Sequence, residues 1–475
     1  MHLHDAEAAE LTEAIVRYAI ERVRMDPVPL DGPRDKRELA AACGPTITAD
    51  GLGGQRALEL FTDVLAPACI SVDNPRYLSF VPCAATEAAV LFDLVVGASS
   101  IYAGSWLEGA GAVYAENEAL RWIADLAGFP ASAGGVFVSG GTAGNLSALL
   151  AARWAWRRAA GGAHDRTWPL VVTSAGAHSS VAHAARVMDC DVVTVAADAS
   201  GRMSGAALAA TLAALGDADR GRLFAIVATA GTTNAGVVDD LAGAAEAAES
   251  LGCWLHVDGA YGAAALAAPR VRAAFAGIER ADSLIVDPHK WLFAPFDSCA
   301  LVYRDPQLAE EAHTQHAEYL DVLHGGPDAA PDHVVGGVGG AARDRNPSDL
   351  AHHLTRRARG LPFWFSLATH GTAAYATAIE TTLAVTRAAA ELIRASDHLE
   401  LVVEPELSVV VFRRHGWSPA DYHTWSDRML AAGEALVVPT AWAGETVLRI
   451  CIVNPRTTVA DIAVLVDSLA TAPGG

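Results

Sequence analysis

The sequence predicts an α/β protein: a mostly parallel sheet with helices on both faces, an N-terminal helical segment and a small C-terminal α+β domain. Two observations carry this. Between residues 86 and 305, short apolar runs bounded by turn residues alternate with Ala-rich helical stretches, the rhythm of parallel crossover units. The chain has 475 residues, more than one hydrophobic core normally fills, so two or more lobes are expected.

Taken in order, residues 6 to 24 form an amphipathic helix, with Leu11, Ile15, Tyr18, Ala19 and Val23 near one face. Pro27, Pro29 and Pro33 end that pattern, and a second helix is expected over Gln55–Leu65. Residues 1–85 have no strand core of their own, so they either cap the chain or pack across a dimer. Residues 86–365 form the large domain, with strands expected at Gly135–Ser139, Leu170–Thr173, Val192–Val195, Phe224–Ala228, Trp254–Val257, Leu284–Val286 and Ala300–Tyr303. A mobile loop is expected at about 321–350, because 325–340 holds six glycines and two prolines. Helices are expected over Leu361–Ala378 and Thr382–Ala395. The remainder, 366–475, carries strand-like runs at Leu399–Val403, Ser408–Phe412, Ala435–Val438 and Val447–Ile452 and a last helix over Val459–Leu469.

Composition excludes several classes. Hydrophobic residues make up 52 % and charged residues 19 %, which rules out a disordered chain. The net charge of −21 repels nucleic-acid phosphates and anionic lipid, so neither is expected as a partner. Seven scattered cysteines without a CxxC pair form neither a disulfide framework nor a zinc site. The mixed-charge N-terminus lacks a signal-peptide pattern and no run reads as a membrane span, so a cytoplasmic protein is expected.

In such sheets sites lie at the carboxyl ends of strands, and three strand ends stand out. Asp287-Pro288-His289-Lys290-Trp291 puts a lysine just past a buried strand. The chain has only two lysines, Lys36 and Lys290, and otherwise uses arginine. A buried lysine loses its proton readily and suits Schiff-base chemistry, although a surface lysine beside an aromatic fits the same letters. Leu255-His256-Val257-Asp258-Gly259 ends an apolar strand in a carboxylate, which needs a cationic or donor partner. A protonated pyridine nitrogen would serve, and so would a helix it capped. Ser139-Gly140-Gly141-Thr142-Ala143-Gly144-Asn145 joins a strand to a helix through glycines and a hydroxyl, either an anion cup for a phosphate-bearing cofactor or a tight turn. Ala177-His178-Ser179 and Thr229-Ala230-Gly231-Thr232-Thr233 add polar residues at two further strand ends.

With SGGTAGNLSALLAAR, HSSVAHAARVM, ATAGTTNAG, WLHVDGAYG, DPHKW and RRARGLPFWF in place, the chain resembles the group II pyridoxal-phosphate (PLP)-dependent amino-acid decarboxylases, the family of aromatic-L-amino-acid, histidine and glutamate decarboxylases. The resemblance runs from Asn74-Pro75-Arg76-Tyr77 to Asn454-Pro455. It implies a fold-type I homodimer with shared active sites and PLP as cofactor. It implies that Lys290 carries PLP as an internal aldimine and Asp258 holds the pyridine nitrogen. By the same likeness His178 stacks on the ring and Gly141 and Thr142 bind the phosphate. Thr233, Ala260 and His289 then lie around the ring, and Arg449 contacts the substrate carboxylate.

Two departures bear on mechanism. The family's loop tyrosine, about ten residues before Arg356-Arg357, falls at Pro347, and no tyrosine lies between Leu320 and Leu361. Tyr319 reads as structural. Without that acid, Cα protonation falls to His178 or water, or the carbanion takes another route. Asp287 stands where relatives often have Asn, an added negative charge near a phosphate. Cys83 replaces a threonine of the aromatic branch.

Tyr77 to Pro82 resembles the aromatic branch, so Phe80, Pro82, Cys83, Tyr102 and Trp106 are expected to line the substrate pocket, the last two from the partner subunit. The expected activity is decarboxylation of an L-amino acid with an aromatic or apolar side chain. The alternatives are an aldehyde synthase, a decarboxylase of an acidic amino acid, and a non-catalytic PLP-fold binding protein.

Overall fold

The computed structural model describes residues 2, 4–161, 166–317, 320 and 345–471. Its large sheet has seven strands, β1 Gly134–Val138, β2 Leu170–Ser174, β3 Asp191–Val195, β4 Leu223–Thr229, β5 Trp254–Asp258, β6 Ser283–Val286 and β7 Cys299–Tyr303. Each lies within one residue of its expected bounds. Their order is β1-β7-β6-β5-β4-β2-β3. Every residue of β2, β4, β5, β6 and β7 is buried, because helices cover both faces of the sheet.

The sheet is mixed. β2, β3, β4, β5 and β6 pair in parallel, whereas β7 is antiparallel to β6 and β1. The connection 287–298 contains no helix, and a short link without a crossover element can only return antiparallel. As a result the start of β7 lies beside the ends of β6 and β1, with Ala300 opposite Val286 and Cys299 opposite Val138.

The helix Gly141–Ala159 is pressed onto this edge. A Cβ on Gly144 would lie 2.8 Å from Ile285 Cγ2 and 3.1 Å from Cys299 Sγ, so only glycine permits the approach. Its N-terminus therefore opens among the strand ends.

A second sheet, β10-β11-β9-β8, is antiparallel. Its strands are β8 Leu399–Val403, β9 Val409–Arg414, β10 Thr440–Trp442 and β11 Glu445–Cys451. The expected run Ala435–Val438 makes only a single bridge, Leu436 to Tyr77; the strand begins at Thr440. The helical stretch after 361 also divides differently. It breaks at Gly371, whose φ of +75° favours glycine, into Leu361–His370 and Thr372–Arg394. Thr372 to Arg394 is one helix because the apolar positions Tyr375, Ile379, Leu383, Ala390 and Ile393 keep one buried face throughout.

The helix Ala6–Val23, capped by Asp5, has no buried residue. Helix Gly54–Leu60 continues as a π-turn over Phe61–Leu65, and Lys36–Cys43 is a helix the periodicity did not signal. Pro347 begins a buried 3₁₀ turn, Pro347–Asp349, held by Ser348 N–H donating to Gly104 O at 3.0 Å. Tyr319 and the glycine-rich 325–340 lie outside the described residues. No helix among the described residues is long and apolar enough to cross a membrane. No cluster of His, Cys, Asp or Glu there could hold a metal ion.

Candidate active site

The carboxyl ends of β1, β2, β4, β5 and β6 face one cavity of about 270 Å³. Its wall includes Gly141, Thr142, His178, Thr233, Asp258, Ala260, His289 and Lys290. The structure thus gathers every expected cofactor residue, although they span 150 positions of sequence.

At the β1 end, the helix Gly141–Ala159 starts with no side-chain cap. Its first N–H groups and the positive end of its dipole open into the cavity with Thr142. At the β5 end, Asp258 is 5 % exposed. Its Oδ1 accepts from Ala260 N–H at 3.1 Å and Oδ2 from Asn145 Nδ2 at 2.9 Å.

Asn145 organises more than Asp258. A carboxylate only accepts, so the Asn145 amide N–H groups face Asp258 and the Ser180 hydroxyl, the latter at 2.8 Å. Its Oδ1 then accepts from His256 Nε2 at 2.8 Å. His256 Nδ1 lies 2.8 Å from the Ser283 hydroxyl, which itself accepts from Trp254 Nε1 at 2.8 Å. Indole N–H can only donate, so every bond in this chain has one direction. Burial pushes His256 down to about 4, and Asp258 opposes that shift; the imidazole is neutral, as the chain requires. On the other side Ser180 donates its hydroxyl to His178 Nδ1 at 2.8 Å, and Ser180 N–H reaches the same nitrogen at 3.2 Å. The His178 proton therefore sits on Nε2.

At the β6 end, Lys290 Nζ lies 2.9 Å from Asp287 Oδ2 and a quarter of its side chain is accessible. Burial pulls the Lys290 ammonium down, and the attraction of Asp287 more than reverses this, leaving it above its ordinary value. Burial likewise pushes the Asp287 carboxyl up, but Lys290 and His289 carry it below the carboxylate range. His289 Nδ1 lies 2.6 Å from Ser298 O, and its ring packs 5.0 Å from that of Phe296. Burial pulls its pKa down, Asp287 notwithstanding.

The expected substrate residues are not part of this wall, and for Tyr102 and Trp106 the expectation concerned the partner's cavity. None of Phe80, Pro82, Cys83, Tyr102, Trp106 and Arg449 lines this cavity in the single chain. Phe80 is 61 % exposed. Cys83 is buried with Sγ 2.9 Å from Ala294 O, and burial pushes its thiol to about 12. Tyr102 donates its hydroxyl to Leu354 O, and Trp106 opens the helix Trp106–Leu126 with its backbone N–H on Asn346. Arg449, on β11, is buried. One guanidinium nitrogen donates to Phe80 O, and the group also acts on the neighbouring Cys451 thiol. The cavity wall instead carries Phe296, Asp297 and Tyr261.

Sequence reading missed Asn145, His256 and Ser180 as site residues. The signals were there: an asparagine inside a helix, where it is disfavoured, and a histidine inside an otherwise apolar strand. Arg356, quoted only as a motif residue, is fully buried and pairs with Glu116 at 2.7 and 2.8 Å.

An anion cup, a buried carboxylate and a lysine around one cavity at a sheet's carboxyl edge define an enzyme that uses a phosphate-bearing cofactor. The chain belongs to the pyridoxal-dependent decarboxylase family, whose conserved domain matches residues 50–415. It is 31 % identical over 402 residues to the aromatic-L-amino-acid decarboxylase of Bacillus atrophaeus, covering 82 % of this chain and 79 % of that one. It is 34 % identical over 397 residues to the L-2,4-diaminobutyrate decarboxylase of Rhizobium meliloti, covering 82 % and 75 %. Its fold matches that of Oryza sativa TDC solved with PLP and tryptamine, with a TM-score of 0.87, 23 % identity and coverage of 99 % and 98 %. The protein is a PLP-dependent amino-acid decarboxylase.

Proposed function

We propose that the chain decarboxylates an L-amino acid with an aromatic or other apolar side chain, giving the amine and CO₂. One observation carries the residue roles: the uncapped helix start, Asp258 and Lys290 face the same cavity. The residues fit PLP. Lys290 would bond its aldehyde, Asp258 would face its ring nitrogen and keep it protonated, and the N–H groups around Gly141 and Thr142 with the Thr142 hydroxyl would hold its phosphate. Thr233, Ala260 and His289 border the ring. The bound cofactor supplies an electron sink for the pair left when CO₂ departs.

The remaining work belongs to the chain. Asn145 fixes Asp258 against rotation and, through Ser180, fixes the His178 tautomer. His178 Nε2–H then faces the cavity as a donor that orients the substrate carboxylate and a water, and that water returns the proton to Cα. Arg449 lies outside the cavity wall with its guanidinium on Phe80 O, so the carboxylate contact that the resemblance implied for it is not part of this proposal.

For the substrate side chain, Phe296 offers an aromatic wall, 54 % exposed, and no arginine among the described residues lines the cavity. That disfavours an acidic side chain. A second reading, a short amino side chain such as that of 2,4-diaminobutyrate, draws support from Asp297 in the wall, which pairs with Arg359 at 2.9 Å. A homodimer is part of the proposal. Ile15, Val16 and Ile20 of the N-terminal helix and Leu94, Val95, Leu107 and Tyr114 around Tyr102 and Trp106 are exposed, an apolar surface of the kind that marks an interface.

The test is amine and CO₂ release from a panel of L-amino acids with PLP present. Turnover of aromatic substrates above all others supports the first reading, and preference for diaminobutyrate selects the second. Ammonia and peroxide formed in step with CO₂ select an aldehyde synthase. A cofactor-loaded protein that releases no CO₂ from any substrate overturns all three.

A further inference from the structure

Asp287 is a carboxylate at the edge of an anion cup. A Cβ added to Gly141, the first residue of the cup's helix, would lie 3.4 Å from Asp287 Oδ2. The side chain is 2 % exposed, and beyond the Cys299 thiol its Oδ1 meets no strong donor among the described residues. The groups facing it are Lys290 at 2.9 Å, His289 at 3.6 Å and the Cys299 thiol, with Asp258 acting on Lys290 from the next strand. Burial holds His289 toward its neutral form and the Cys299 thiol protonated. Lys290 is thus the full positive charge that balances Asp287.

We propose that Asp287 is the counter-ion of Lys290 in the cofactor-free protein and opposes cofactor loading, so that residue 287 stabilises the empty and the loaded forms in opposite directions. The inference rests on the reading that Lys290 bonds the PLP aldehyde and the cup takes the phosphate; it does not depend on the substrate. Loading breaks the aldehyde C=O bond and forms a C=N bond to Nζ; the oxygen leaves as water with two of the three ammonium protons, and the third stays on the nitrogen. It draws Nζ away from Asp287 and sets a phosphate beside the same carboxylate. In a site with little water, two anions at close range repel strongly unless one takes a proton. The empty form, by contrast, keeps a buried charge pair whose separation is costly.

The isosteric variant Asp287→Asn removes the charge and keeps the shape. The full-length protein, prepared free of cofactor, should melt at a lower temperature than wild type. It should also bind PLP about 10- to 100-fold more tightly, read from bound-cofactor absorbance. A residue that merely packs would move both quantities the same way. The background Lys290→Ala provides a second check. There Asp287 has lost its counter-ion, so adding Asp287→Asn should raise the melting temperature of the empty protein, a reversal of sign that reports the pair. Weaker PLP binding by Asp287→Asn, or the same direction of stability change in both backgrounds, overturns the proposal. If Lys290→Ala still gives imine absorbance with PLP, the underlying assignment of Lys290 fails instead.

Discussion

The ends of β5 and β6 are neighbours in the sheet, and each puts a buried aspartate at the cavity, yet the two carboxylates are held by opposite means. Asp258 is held by neutral donors, an asparagine amide and a backbone N–H. Asp287 is held chiefly by a cation, with the Cys299 thiol as its neutral neighbour. A carboxylate fixed by amides keeps its charge available for a cation that arrives, as a pyridinium does. A carboxylate fixed by a lysine has spent its charge already, and depends on that lysine staying put. The same residue type on adjacent strands thereby performs two different electrostatic tasks.

The largest effect should come from Asp258→Ala. Losing the partner of the ring nitrogen is expected to cut kcat about a thousandfold or more, roughly 4 kcal/mol at ~1.4 kcal/mol per tenfold, with cofactor still bound. A kcat within tenfold of wild type would mean that Asp258 is a structural cap.

A buried pair remote from the chemistry extends the contrast. Glu116 accepts two of the three guanidinium bonds of Arg356, the third going to Ala103 O, and also accepts from Gly360 N–H at 2.7 Å. Removing its charge by Glu116→Gln strands a buried guanidinium, for which a loss of about 3–5 kcal/mol in unfolding stability is expected. Denaturant melts of Glu116→Gln and of Arg356→Met with Glu116→Leu should separate breaking the pair from replacing it, the double variant being the more stable.

The amide-held side should show itself in pH dependence. The His256 pKa lies near 4 in the fold and near 6.5 in the unfolded chain, so the unfolded chain binds the extra proton. Its contribution is complete above pH 6.5 and is lost as pH falls toward 4, amounting to about 3 kcal/mol at ~1.4 kcal/mol per unit. Stability measured from pH 7 to 4 should fall less steeply in His256→Gln. An unchanged slope would take His256 out of the account.

Asn145→Leu should lower kcat by about 10- to 100-fold, because Asp258 and Ser180 both lose a donor while Lys290 is untouched. Steady-state rates at saturating PLP check this, and bound-cofactor absorbance confirms that loading persists. The smallest effect concerns Pro347. Buried in a 3₁₀ turn against Gly104, it cannot present a new ring to the cavity, so Pro347→Tyr should cost about 1–3 kcal/mol by overpacking and leave the amine-to-CO₂ ratio unchanged. A shift in that ratio would return this position to the chemistry.

Much of this was legible in the letters. Seven apolar runs mark seven strands: the inner ones are apolar because both faces are buried, and the edge strand Asp191–Val195, largely exposed, still shows as a β-branched run bounded by turn residues. The residues of the cavity wall were legible because glycines, Asp258 and Lys290 each lie at or just past the end of such a run, where an α/β sheet places its sites. The helix break at Gly371 was less visible, since the apolar stripe continues across it and only the backbone dihedral marks the stop. The pairing of Asn145 with His256 and Asp258 joins positions 111 and 113 apart, and no local period encodes it.

By itself, then, the sequence determined the strands, the crossover rhythm, the family and the identity of the groups at each strand end, because those depend on burial pattern and short-range chain geometry. Tertiary structure alone decided that β7 runs antiparallel and brings Cys299 beside the Lys290 strand. It also decided that Arg356 is an interior ion pair, and that Phe80, Pro82, Cys83, Tyr102, Trp106 and Arg449 stand away from the cavity of their own chain. Above all it decided that Asp258 is held by amides and Asp287 by a lysine. Which donor reaches a carboxylate depends on how the helix Gly141–Ala159 lies against β5 and β6, and close approach of that kind is set by packing in three dimensions.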